Sequence, residues 1–210
     1  GLELLNGFLA ELTDEKPVLV GNSLGAWLGW RYLLRYPESI SGCLMLAPGG
    51  FMQPDELSGV VERFLSGEQD EMTRAIIGDA RPEMRFFARR IIGKMLQSPM
   101  LEVVCRQDSK HLLHEAGDLS PFVQRLRCLW GSLDTLMPDS GRQALRQELG
   151  DHLVVERVGH APQQTRPGLV VREMMRLQSQ LKQSEQIAPN AEREHQHVEP
   201  KDAPEQQLRA

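Results

Sequence analysis

Ser23 stands between two glycines, in Gly21-Asn22-Ser23-Leu24-Gly25. An aliphatic hydroxyl is a poor nucleophile until a base takes its proton and a carboxylate holds that base in one tautomer. Candidates for those partners stand far downstream, at Asp134 in Gly131-Ser132-Leu133-Asp134 and at His160 in Val158-Gly159-His160. Together the three would carry acyl transfer. The serine attacks a carbonyl, the imidazole moves the proton, and the backbone N–H of Leu24 holds the negative oxygen. Each residue also has a plainer reading: Ser23 caps a glycine-rich turn, Asp134 caps a loop, and His160 is a surface histidine. The elements around the residues must decide.

Pro17 opens a short apolar strand, Val18-Leu19-Val20, and Trp27 to Tyr36 reads as a helix that ends where Pro37 disfavours helix in the residue before it. The G-x-S-x-G therefore falls on a strand, a sharp turn and a helix, the setting that exposes a serine at a strand's carboxyl end in a strained conformation. Gly21 and Gly25 are expected where helix and strand pass too close for a Cβ. Upstream, Leu2 to Leu12 spaces its apolar residues as a helix. Ile40 to Ala47 is a second buried strand, stopped by Pro48-Gly49-Gly50, so the two strands are expected to be parallel neighbours. Leu126–Trp130 and Leu153–Val158 are further strands. Asp134 and His160 follow them, on the loops where open parallel sheets collect their chemistry.

From Met52 to Leu119 no alternating run appears. Helices are expected over Asp55–Leu65, Glu68–Ile77, Pro82–Leu96 and Met100–His114, with Ser66 and Gln69 as a capping box for the second. Ser140–Leu149 is another helix, with Ser140 and Gln143 as its box and Gly150 as its stop. Leu169–Leu181 is the last. Beyond Gln183 almost nothing is apolar, and a disordered tail is expected. The organisation is thus an α/β core over 1–51, a helical cap over 52–119, a second stretch of core over 120–183 and a tail over 184–210.

In these three motifs and their order, Ser23, Asp134, His160, the chain resembles the C-terminal part of α/β-hydrolase-fold enzymes. Gly21 to Gly25 matches the nucleophile elbow. Leu129-Trp130-Gly131-Ser132-Leu133-Asp134, with Pro138 following, matches the acid loop, and Val158-Gly159-His160, with Pro167 downstream, the histidine loop. The resemblance runs from about Leu2 to Leu181. It implies a parallel sheet flanked by helices, and a carboxylesterase-like serine hydrolase with catalytic Ser23, Asp134 and His160. It further implies an oxyanion donor at Leu24 N–H, a small-molecule substrate, and no metal or cofactor. The family's first strands, and the loop with its second oxyanion donor, precede the helix that leads into the elbow. The chain is therefore expected to be a fragment with an unpaired sheet edge and little activity of its own. Ala47-Pro48-Gly49-Gly50-Phe51 is similar to hydrolases that cleave carbon–carbon bonds in ring-fission products of aromatic degradation. That activity is the alternative to ester cleavage, and a non-catalytic module retaining the fold is another.

A formal charge of −5 argues against nucleic acid or an anionic membrane as partner. No apolar run approaches the ~20 residues that span a bilayer. Homo-oligomerisation stays open, and a start at Gly1 leaves room for an upstream segment. The cysteines, Cys43, Cys105 and Cys128, form no C-x-x-C, and a reducing, cytoplasmic compartment fits them. His111 and His114 sit at i, i+3 on an expected cap helix, but no third metal ligand suggests itself, and a solvated or packed role is favoured. His152 precedes a strand, and His195 and His197 lie in the tail. Arg89-Arg90 reads as a solvated helix face, with pairing to a substrate carboxylate as the other reading.

Overall fold

A computed structural model describes residues 1–66, 69–97 and 118–195. Four short strands, β1 (Val18–Asn22), β2 (Gly42–Leu46), β3 (Leu126–Gly131) and β4 (Leu153–Glu156), form one parallel sheet in that order. The register pairs Asn22 with Leu46, Leu46 with Leu129 and Gly131 with Glu156. All four carboxyl ends therefore meet at one rim. Helix α1 (Leu2–Leu12) precedes the sheet, and α2 (Leu24–Arg35) makes the crossover from β1 to β2.

Alternation along β2 builds two faces. Cys43 and Met45 join Leu9, Trp30, Leu33, Leu145 and Leu149, contributed by α1, α2 and α6 (Asp139–Leu149). Leu44 and Leu46 pack the other way, against Leu177, Val170 and Leu181 of α8 (Pro167–His195). β2 is buried throughout, which is why its sequence is an unbroken apolar run. β1 is different. It pairs with β2 alone and stands at the sheet's edge, with Val20 46% exposed. Helix α1 turns Leu9 inward and leaves Leu4, Phe8 and Leu12 in solvent at helical spacing.

Charge fixes α8 to its face. Arg127 of β3 holds Glu173 Oε2 at 2.8 Å, while Arg172 and Arg176 hold Oε1, each at 2.9 Å. Glu173 is fully buried. A carboxylate so far from water is tolerable only because guanidinium groups satisfy both oxygens.

The helices α3 (Pro54–Ser66), α4 (Gln69–Ile77) and α5 (Pro82–Leu96) lie where their apolar spacing puts them. Val60, Met72, Ile76, Ala88 and Ile92 from these helices belong to the same apolar cluster as the first face of the sheet. The fourth expected helix, Met100–His114, falls outside the described residues.

The proposed capping boxes take other partners. Ser66 closes α3, and the Gln69 amide donates to Arg89 O of α5 at 2.5 Å. α6 starts one residue earlier than expected, at Asp139. Ser140 Oγ donates across to Glu56 Oε1 of α3 at 2.6 Å, and Gln143 turns to Asp139. Gln69 and Ser140 thus spend their donors on distant acceptors, while Gln143 stays within the first turn of α6. Gly150, at φ 51°, does end α6. β4 stops at Glu156 because Val158 N–H folds back onto Glu156 O. A short helix that spacing had not announced, α7 (Pro162–Thr165), follows. α8 runs on to His195, past the Leu181 end that its apolar face suggested. The remainder of the expected tail, 196–210, lies outside the described residues. Among the described residues no helix is long and apolar enough to cross a membrane.

Candidate active site

Ser23 occupies the N-cap position of α2 at φ 54°, ψ −115°, yet its side chain makes no capping hydrogen bond. A non-glycine residue held there costs about 1–3 kcal/mol. The plain reading of a capping serine would need a hydrogen bond from the helix's first N–H groups to the hydroxyl, and none is made. The backbone is held instead: Ser23 N–H donates to Leu46 O (2.9 Å), and Ser23 O accepts from Trp27 N–H (3.0 Å) and Gly49 N–H (3.3 Å). The turn is tight because of Gly21, where a Cβ would fall 2.5 Å from Ala26 N and closer still to the Gly25 carbonyl. Gly25 departs from expectation. A Cβ there would meet nothing within 4 Å, because the second residue of α2 faces outward. The backbone of Leu24 begins α2, so its N–H is among those with no acceptor inside the helix and lies at the positive end of the dipole.

Asp134 and His160 meet. His160 Nδ1 lies 2.8 Å from Asp134 Oδ2, and their side chains are 5% and 0% exposed. A carboxylate accepts, so the imidazole proton sits on Nδ1 and Nε2 is left with the lone pair. The other carboxylate oxygen, Oδ1, takes the N–H groups of Leu136 (3.0 Å) and Met137 (3.2 Å). Asp134 does therefore cap its own loop, with the oxygen the histidine does not use. His160, 4% exposed, is no surface histidine.

The two loops are tied to one another. Ser132 N–H donates to Glu156 O and Leu133 N–H to Val158 O. The loop glycines permit the approach: a Cβ on Gly159 would fall 2.5 Å from Gly78 N and 2.7 Å from Ile76 O. That closeness lets the end of α4 reach the histidine. His160 N–H donates to Ala75 O (3.1 Å) and Ala161 N–H to Ile76 O (2.8 Å).

The link from histidine to serine runs through the neighbour of Ser23. Asn22 Nδ2 donates to His160 O at 2.8 Å and to Leu46 O at 3.0 Å, and Gln163 Nε2 donates to Asn22 Oδ1 at 3.1 Å. Ser23 and His160 are thus on the same rim, although among the described residues no hydrogen bond joins Ser23 Oγ to the imidazole. Neither Asn22 nor Gln163 stood out as a site residue in the sequence. The one available signal was a side chain with both donor and acceptor placed between a glycine and the serine.

Arg89 pairs with Asp70 of α4 at 3.1 Å in an exposed position. Cys105, His111, His114 and His197 lie outside the described residues. Among those described, no three His, Cys, Asp or Glu side chains cluster as a metal site.

Known proteins share this fold. The family described as "Alpha/beta hydrolase family" matches residues 2–173. Among solved structures the chain is similar to Est816, an N-acyl homoserine lactone degrading enzyme, at 20% identity and a TM-score of 0.62, over 83% of this chain and 72% of that one. It is similar to a thermophilic esterase from Thermogutta terrifontis at 19% identity and 0.61, over 84% and 70%. It is also similar to the 2-hydroxy-6-oxo-6-phenylhexa-2,4-dienoate hydrolase of Rhodococcus sp. strain RHA1 at 16% identity and 0.63, over 84% and 68%. At these identities the likeness is one of fold. No curated protein matches the chain. It spans 68% to 72% of the length of these three structures.

Proposed function

The chain belongs to the alpha/beta hydrolase family, and on that premise we propose that it is a serine hydrolase whose triad is Ser23, His160 and Asp134. His160 Nε2 takes the proton of Ser23 Oγ as the oxygen attacks a carbonyl carbon. The electron pair of the C=O bond moves onto its oxygen, beside Leu24 N–H and the start of α2. The tetrahedral adduct collapses, and the leaving alcohol takes its proton from His160. Water then attacks the acyl-serine by the same route. Asp134 keeps Nδ1 protonated and offsets the charge on the imidazolium. No step calls for a metal or an organic cofactor.

The observation that carries this reading is the buried Nδ1–Oδ2 contact of 2.8 Å on the rim that also holds the uncapped Ser23. A non-catalytic module would have little use for a strained serine on the same rim as a dry carboxylate–imidazole pair. The test is a fluorophosphonate probe with the modified residue located by mass spectrometry, alongside hydrolysis of a p-nitrophenyl ester. Slow labelling at Ser23, lost in Ser23→Ala, is expected, with ester turnover low for want of a second oxyanion donor. Absence of labelling, or ester turnover that survives Ser23→Ala, would refute the assignment.

The Ala47-Pro48-Gly49-Gly50-Phe51 turn and the likeness to the Rhodococcus hydrolase favour a second substrate class, a ring-fission dienoate cleaved at a carbon–carbon bond after ketonisation. Product analysis separates it from ester cleavage. In either case residues 52–119 act as a cap on a core formed by 1–51 and 120–183. The substrate is a small molecule, and the buried free thiols Cys43 and Cys128 suit a reducing, cytoplasmic setting.

A further inference from the structure

We propose that Asn22 and Gln163 are positioning residues that set where the imidazole of His160 stands relative to Ser23, an inference that rests on the serine-hydrolase reading above. His160 is held in three ways. Asp134 fixes its ring at Nδ1, and the carbonyls of Ala75 and Ile76 in α4 take the N–H groups of His160 and Ala161. Neither hold refers to the serine. The third does. Asn22 Nδ2 donates one proton to Leu46 O and the other to His160 O. Leu46 O also accepts Ser23 N–H, so a single carbonyl anchors both the nucleophile's backbone and the amide that grips the histidine. Asn22 itself lies in the β1 ladder, one residue from Ser23. The whole path from nucleophile to base is one peptide bond, one carboxamide and one hydrogen bond.

A carboxamide can flip, and a flipped Asn22 would present its oxygen to two carbonyls. The two carbonyls exclude that, since neither can donate. Gln163 Nε2 donates to Asn22 Oδ1 and holds the carboxamide from its other end, while Gln163 Oε1 is buried with no partner among the described residues. Gln163 belongs to α7, which follows the histidine loop directly, so this bond returns the chain beyond His160 to the same anchor.

The test uses the whole chain. Asn22→Asp keeps the size of the side chain but replaces the double donor by an acceptor, and Gln163→Ala removes the hold from the other end. Asn22→Asp is expected to slow fluorophosphonate labelling of Ser23, and kcat for a p-nitrophenyl ester, by about 10- to 100-fold, the scale of an ångström's misplacement of a reacting group. KM should change by less than about threefold, since uniform binding is untouched. Gln163→Ala should act in the same direction and more weakly. Leu181→Ala, which loosens packing on the opposite face of the sheet, should lower the melting temperature and leave labelling unchanged. A role in stability alone predicts that labelling follows melting temperature across all three variants, and that pattern overturns the proposal, as does wild-type labelling in a folded Asn22→Asp. If Asn22→Asp does not fold, Gln163→Ala decides on the same readouts. If the wild type is not labelled, the hydrolase reading fails, and positioning is decided by the NMR resonance of the proton on His160 Nδ1. A shift in Gln163→Ala upholds it, and an unmoved resonance ends it.

Discussion

A methyl group at Gly21 would stand 2.5 Å from Ala26 N and nearer still to the Gly25 carbonyl, where ordinary contacts of a Cβ run from 3.4 to 4 Å. These neighbours are backbone of the first turn of α2, which cannot swing aside as a side chain can. Gly21→Ala must therefore push the start of α2 away from β1 by about 1 Å, and overpacking of that kind costs roughly 1–3 kcal/mol. The same displacement carries Ser23 and Leu24 N–H away from the histidine loop, so labelling should slow by about 100-fold. The control is Gly25→Ala. The motif treats the two glycines alike, but a Cβ at Gly25 meets nothing within 4 Å. Within a helix that change should be neutral, or stabilising by about 0.4–1 kcal/mol through the unfolded chain. Urea denaturation gives the stabilities and fluorophosphonate kinetics the reactivity. A Gly21→Ala protein with the wild-type midpoint and labelling rate would refute the steric account of the elbow, and so would two variants that behave alike.

Burial holds the Cys43 thiol up at about 12 and raises that of Cys128 as well. Unfolded thiols ionise from about 8.5 upward, so the unfolded state loses protons first, and stability should fall as pH climbs from there towards 12. In a Cys105→Ala background the fall should flatten once Cys43 and Cys128 are also alanine; equal slopes of melting temperature between pH 9 and 11 would contradict it. Leu4, Phe8 and Leu12 lie exposed on α1, and β1 stands at the sheet's edge; both features invite association. Sedimentation velocity should show self-association rising with concentration and suppressed by Phe8→Glu with Leu12→Glu. A wild type that stays monomeric over the same range would count against it.

Local physics wrote much of this protein into its residue order. Helical spacing is a matter of a few residues, so Leu2–Leu12 and Pro82–Leu96 were legible to their ends. The strand–turn–helix around Ser23 was legible in kind, because a glycine, a serine and a glycine within five residues leave the backbone few conformations, but not in its bounds: β1 runs on to Asn22 and α2 starts at Leu24, three residues before the expected Trp27. Asp134 and His160 could be picked out because a parallel sheet gathers the loops after its strands at one rim, whatever the sequence distance.

What stayed hidden depended on partners far along the chain. Ser140 and Gln69 each sit in a spacing that suits a cap, and each found a better acceptor across the fold, at Glu56 and at Arg89. The freedom around Gly25 and the crowding around Gly21 differ only through which way α2 faces. The grip of Asn22 on the histidine loop joins atoms separated by 138 positions, and the carbonyls of α4 reach His160 only because two glycines let the backbones close. A hydrogen bond reads direction and distance in space, which residue order constrains only over neighbouring turns. The type of each group was therefore settled along the chain, and its partner only when the chain had folded.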